Sequence, residues 1–287
     1  MHIPDFRCTG DNTLEACAIV SQKLGISLPE AYRQWPQMMR LSRGIRDHEG
    51  SGFCELPFCH TLEGEALGGI VNFSGTFGPR ANAYSCTTAQ ELLALPAMDL
   101  KSGRVAQVLE ACARLRAEGD EVILMVSGPF TILNLLIDPM LLYRILRKTP
   151  EDMQAILDKL GGEILRLLAA ARGAGVRMIS YSDSSGGVGI LGPQAAAAVA
   201  VRFTYPLMQQ VEEAWGGEML TLLCPKTALS LVGVGLARWE EVRVVPPLPY
   251  GEACSALIGK AAFVGQMCIR KKKSMPEGDT IKTLHLL

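Results

Sequence analysis

The residues most able to do chemistry stand in Leu56-Pro57-Phe58-Cys59-His60-Thr61-Leu62-Glu63-Gly64-Glu65-Ala66, directly after a strand-like run. A thiol, an imidazole and two carboxylates so placed could bind a metal, transfer protons or hold a polar substrate. The same spacing also reads as a helix N-terminus, with Thr61 as cap and Glu63 and Glu65 against the dipole. On spacing alone that second reading is favoured. Asp183, followed by Ser-Ser-Gly-Gly, ends another strand-like run. It can orient a ligand or cap the next element, and Tyr181 just inside the run is expected to line the site. Cys224 and Cys268 end two further runs. Brought together, two thiolates are half of a tetrahedral zinc site, although most such pairs are buried thiols that never meet.

These residues need elements to carry them. Ser27-Leu28-Pro29-Glu30 is a capping box that predicts a helix running towards Arg46, and Gly25 is placed to end the helix before it. A β-like run covers 53–58, and Gly-rich polar sequence follows through Pro79. Thr88 with Glu91 caps a short helix, and Val105, Val108, Leu109, Cys112 and Leu115 give an amphipathic helix ending at Gly119. From there strands at 122–126, 176–182, 219–223 and 261–265 alternate with helical stretches. Among these are an alanine-rich helix over 193–215 and a helix over 250–258. Short, largely apolar strands between helices predict a parallel sheet covered by helices. The polar residues Ser127-Gly128-Pro129, Asp183, Cys224 and Cys268 fall at the C-terminal strand ends, where barrel active sites are built.

Composition narrows the function classes. The chain has 287 residues, 48% hydrophobic and 20% charged, with net charge −1, as expected of one globular domain. That charge argues against nucleic acid or anionic lipid as partner. The basic run Arg270 to Lys273 is expected to be a solvated or anion-steering surface. Ser127, Gly128 and Pro129 break the most apolar stretch, so no membrane span is expected. No positively charged, apolar leader is visible, and the nine cysteines lack framework spacing. Reduced thiols and a cytoplasmic location are the expectation.

Four segments together resemble the methylcobamide:coenzyme M methyltransferases and their uroporphyrinogen decarboxylase-like relatives. Pro29-Glu30-Ala31-Tyr32 with Met38-Met39 looks like a family helix. Pro57 through Gly68 is the most specific match. Ser127-Gly128-Pro129-Phe130-Thr131 matches a family turn, and Ser182-Asp183 with Gly192-Pro193 frames a family loop. The likeness runs in order from about Pro29 to Cys268. It implies a (β/α)8 TIM-type barrel forming a single domain over 1–287, with a helical segment over about 1–50. It also implies a zinc ion at the C-terminal face, held by a His-x-Cys pair and a later Cys, which activates an acceptor thiol. That thiol takes a methyl group from a methylcobamide, free or on a corrinoid protein.

Carried over, Cys224 and Cys268 are the metal cysteines, but Leu222 stands where the histidine belongs. His60 is the candidate replacement ligand, or else a neutral lining group. His60, Glu63 and Asp183 are the catalytic candidates. Phe58, Ser127 and Tyr181 are the substrate-binding ones. The resemblance leaves the first barrel strand lacking or replaced, so something is expected to cover the open edge, as a homodimer interface would. The leading expectation is a corrinoid-dependent methyltransferase acting on a small thiol or folate-type acceptor. The alternatives are a non-catalytic corrinoid- or partner-binding relative and a uroporphyrinogen decarboxylase-type carboxy-lyase. The last ranks lower because Arg7 is the sole arginine among the first 32 residues.

Overall fold

In a computed structural model, residues 2–8, 13–74, 78–276 and 278–287 are described. Part of the Gly-rich sequence before Pro79 lies outside these residues, as do Met1, positions 9–12 and Glu277. The strands are β1 (Cys54–Leu56), β2 (Ile70–Asn72), β3 (Arg80–Ala83), β4 (Val122–Ser127) and β5 (Met178–Ser182). They continue as β6 (Leu220–Leu223), β7 (Ala237–Arg243), β8 (Phe263–Val264) and β9 (Thr280–Leu286). The main sheet has the order β1-β4-β5-β6-β8-β9-β7, and β2 and β3 form a separate hairpin. Strands β1, β4, β5, β6 and β8 are mutually parallel, while β9 is antiparallel to both β8 and β7. This parallel-dominated α/β sheet is consistent with the expected TIM-type barrel. Among the described residues no ladder joins β1 to β7.

Burial explains the split between the two halves. Every residue of β4 and β6 is buried, so both faces are covered, as a parallel strand requires. Strand β7 alternates partly buried with exposed positions and carries charges at Arg238, Glu240, Glu241 and Arg243, which suit an edge. Alternate residues of the parallel strands enter two cores. Leu124, Val126, Ile179, Tyr181 and Leu223 pack outward under the helices. Ile123, Met178, Leu220, Leu222 and Val264 pack inward. Strikingly short as it is, the helix Tyr250–Ser255 fills this inner face: Tyr250, Ala253 and Cys254 are fully buried in the inward core. The chain thus fills the concave side of its own sheet.

The open edge of β1 is also met from within the chain. The Ser42 hydroxyl, on the helix Trp35–Glu49, donates to the Glu55 carbonyl at 2.9 Å, and the Ser51 hydroxyl donates to Phe53 at 3.0 Å. The helix predicted from Ser27 to Arg46 is in fact two, Leu28–Ala31 and Trp35–Glu49. Pro36 opens the second, and a proline is at home only in a first turn. The basic run near the C-terminus is solvated only in part: Lys271 and Lys273 are exposed, whereas Lys272 is buried and Arg270 partly buried against Glu55, with Arg270 Nη1 at 2.8 Å, and Lys272 also reaches Glu49 at 2.5 Å. The carboxylate of Glu55 is buried on β1, so burying Lys272 with it satisfies both signs.

Candidate active site

The C-terminal strand ends are where the candidate residues gather. Register places Met125, Ser180, Leu222 and Val264 side by side on the inner face. A cavity of about 50 Å³ opens above this row. Its lining includes His60, Ser182, Cys224, Cys268 and Arg270. His60 and Arg270 also line an adjoining cavity of about 340 Å³, together with Phe58, Thr61, Arg80 and Asn134. The structure therefore brings His60, Cys224 and Cys268 to one place, with Phe58 beside them. Phe58 is held by an edge-on contact with Tyr32, ring centroids 6.2 Å apart.

Glu63, Ser127, Tyr181 and Asp183 are not among the residues lining either cavity. They form a buried clamp beneath it. Glu63 accepts the Ser127 backbone N–H at 2.7 Å, joining the helix Leu62–Ala66 to the end of β4. Asp183 accepts from Thr131 N–H at 2.8 Å, Thr131 hydroxyl at 3.0 Å and Phe130 N–H at 3.4 Å. These donors open the helix Pro129–Leu136, so Asp183 caps the helix that follows the neighbouring strand rather than the element after itself. Burial pushes the Asp183 carboxyl up to about 6, against the Thr131 hydrogen bonds that lower it. Burial likewise raises Glu63, and raises Tyr181 further with Asp183 and Glu63 both adding to it. Gly128 sits at the centre of this clamp. A Cβ there would lie 2.3 Å from Asp183 Cβ and 2.7 Å from the Tyr181 hydroxyl.

The loop carrying His60 is fixed by a residue that sequence reasoning missed. Arg104, buried at the start of the helix Gly103–Ala117, donates to Thr61 Oγ1 at 2.7 Å and Cys59 Sγ at 3.1 Å, and pairs with Glu65. Thr61 stands at the N-cap position with Glu63 and Glu65 in the first turn, as the spacing suggested, but its side chain makes no cap hydrogen bond. Nothing near Arg104 in sequence marks it, because its partners lie some forty positions earlier. Asn134, whose side chain donates to Ser185, was missed for the same reason.

Two thiols and an imidazole are the donor types a catalytic zinc uses. Among the described residues, however, no three or more His, Cys, Asp or Glu side chains are grouped so as to hold a metal ion. Leu222 fills the position that the resemblance gives to a histidine. Burial pushes the Cys224 thiol up to about 11, so an ion bound there would have to displace its proton. The residues present do not fit a zinc site.

The family model described as uroporphyrinogen decarboxylase (URO-D) matches residues 13–229. The chain belongs to the URO-D family. The match spans β1 to β6 and stops short of Cys268, Arg270 and the helix inside the sheet, so one side of the URO-D chain's cavity is built from outside the matched region. A solved methyltransferase from Methanosarcina mazei is similar in structure, with a TM-score of 0.63 and 21% sequence identity. The similarity covers 77% of this chain and 65% of that one, so the chain spans just under two thirds of its neighbour's length. At this identity the likeness bears on the fold. No curated protein matches the sequence. No helix among the described residues is long and apolar enough to cross a membrane.

Proposed function

We propose that this URO-D family chain is a methyltransferase, moving a methyl group between a methylcobamide and a small thiol or folate-type acceptor. The donor is free or carried by a corrinoid protein. The observation that carries the reading is the convergence of His60, Cys224 and Cys268 on one cavity at the C-terminal ends of parallel strands. In a parallel barrel, chemistry is built at this face. The methyltransferase neighbour supports the same reading at the level of fold.

With a thiol acceptor, a sulfur–carbon bond forms as the cobalt–carbon bond breaks, and the bonding pair stays on cobalt. The acceptor proton must leave, and His60, which lines both cavities, is the residue assigned to take it. Phe58 and Leu135 offer the larger cavity an apolar wall, while Thr61, Thr131 and Asn134 offer polar contacts. Glu63 and Asp183 act as positioning residues. They hold the β4 end and the helix after it, which carries Thr131 and Asn134 into the cavity.

A second reading is favoured by Leu222, which stands where the resemblance calls for a histidine: a relative that binds a corrinoid or a partner without turnover. One experiment separates the two. Protein purified without oxygen or chelator is analysed for zinc, then mixed with methylcobalamin and a panel of thiols and tetrahydrofolate, following demethylation by absorbance. Methyl transfer that falls at least tenfold in His60→Ala supports the proposal. Corrinoid binding with no transfer to any acceptor favours the second reading. Decarboxylation of a uroporphyrinogen by the unmodified chain would overturn both.

A further inference from the structure

A separate concavity of about 520 Å³ lies on the helical layer, between the helices Pro139–Lys148 and Pro150–Gly173 and the segments Val188–Leu191 and Pro193–Val199. Its volume is within the range of small-molecule sites. The floor is formed by the buried side chains Met153, Leu157 and Val199, and Leu146 and Ile190 wall it. Ile190 is half exposed, an apolar side chain left to solvent beside apolar neighbours. Ala195 and Ala198 present only methyl groups to the groove, which keeps it open.

The rim carries charge without a counterion. Arg147 stands on one side and Arg202 on the other, and among the described residues neither guanidinium has a hydrogen-bond acceptor or a carboxylate partner. Arg166, Arg172 and Arg177, by contrast, are each paired with a glutamate. The backbone at Arg202 is also unusual. Pro206 has no N–H to give the Arg202 carbonyl, and the helix widens into a π turn over Ala200–Thr204, with Tyr205 N–H bonded to Ala200. The Gln154 side-chain amide reaches the Arg202 carbonyl at 3.4 Å from within the groove lining. Such turns recur at functional sites.

We propose that this groove binds a small amphiphile with an aliphatic body on the apolar floor and a carboxylate between Arg147 and Arg202. Two guanidinium forks suit a carboxylate, whose two oxygens accept in parallel. The apolar floor supplies the burial that surface arginines alone would not. The site is distinct from the cavities at the strand ends, with which it shares no lining residue.

The test is calorimetric titration of the full chain with decanoate, with 1-decanol as the uncharged control. Saturable binding of one decanoate per chain is expected, with 1-decanol at least tenfold weaker. An Arg147→Ala, Arg202→Ala double variant should weaken decanoate about tenfold or more, as loss of charge-assisted hydrogen bonds does. Ala198→Leu should abolish binding by filling the groove. Position 198 is exposed and helical, so that variant is expected to fold, which circular dichroism checks. Absence of saturable decanoate binding overturns the proposal, as does binding unchanged by both variants. A concentration-dependent dimer that Ala198→Leu dissolves, without decanoate binding, would instead assign the groove to a second copy of the chain and overturn it too.

Discussion

Asp183→Asn is a sharp test of the buried clamp, because the structure fixes both its sign and its size. The Asp183 carboxyl rises from an ordinary 3.8 to about 6 through burial. A carboxyl with a raised folded pKa binds its proton more tightly in the native state. Its contribution to stability is therefore full below about pH 4 and is lost as pH rises through about 6. The span between the two values corresponds to ~3 kcal/mol at about 1.4 kcal/mol per pKa unit. Asn keeps one carbonyl oxygen for the Thr131 N–H and hydroxyl, at 2.8 and 3.0 Å, and gives up the longer 3.4 Å bond to Phe130. A lost bond of that kind costs about 1 kcal/mol. The variant is therefore expected to be as stable as the parent, or up to ~2 kcal/mol more stable, at pH 7.5, and less stable at pH 4.5. Urea unfolding of both proteins across pH 4.5 to 7.5 measures the difference. A variant that is destabilised by more than ~2 kcal/mol at pH 7.5, with the parent's pH slope unchanged, would refute the reasoning. The carboxylate would then be ionised at no cost.

Two further predictions follow from the same packing. Gly128→Ala drives a methyl group into Asp183 and the Tyr181 hydroxyl. It should cost about 1–3 kcal/mol, read as a fall in the urea midpoint at constant slope. Arg104→Ala removes the shared partner of Glu65, Thr61 and Cys59. Glu65 keeps 28% of its side chain exposed, so the loss should cost about 1–3 kcal/mol, and limited proteolysis should cut within the 59–65 segment faster than in the parent.

Much of the scaffold was legible because its cause is local. Gly25 ends the helix Thr13–Leu24 with φ of 62°, a conformation glycine reaches without penalty. Thr88 and Glu91 do form a capping box. The largely apolar runs at β4, β5 and β6 announce strands covered on both faces. Strands β7 and β9 went unread, although β9 carries Ile281, Thr283 and Leu284 among its buried positions. Their pairing joins residues more than thirty positions apart, and nothing nearby in sequence names the partner.

The candidate site divides in the same way. Sequence alone determined which side chains could do chemistry, and that His60, Asp183, Cys224 and Cys268 end strands or follow them. Strand parity then sends Leu222 and the lining residues inward and Tyr181 outward. The tertiary structure alone settled that Glu63 accepts from the end of β4 and Asp183 from the helix after it, that Arg104 holds the His60 loop, and that Lys272 and the partly buried Arg270 meet Glu55. Each of these depends on desolvating a charge, which is tolerable only where a partner from a distant segment meets it. No local pattern records that meeting, because it is set by how the whole sheet curls around the helix it encloses.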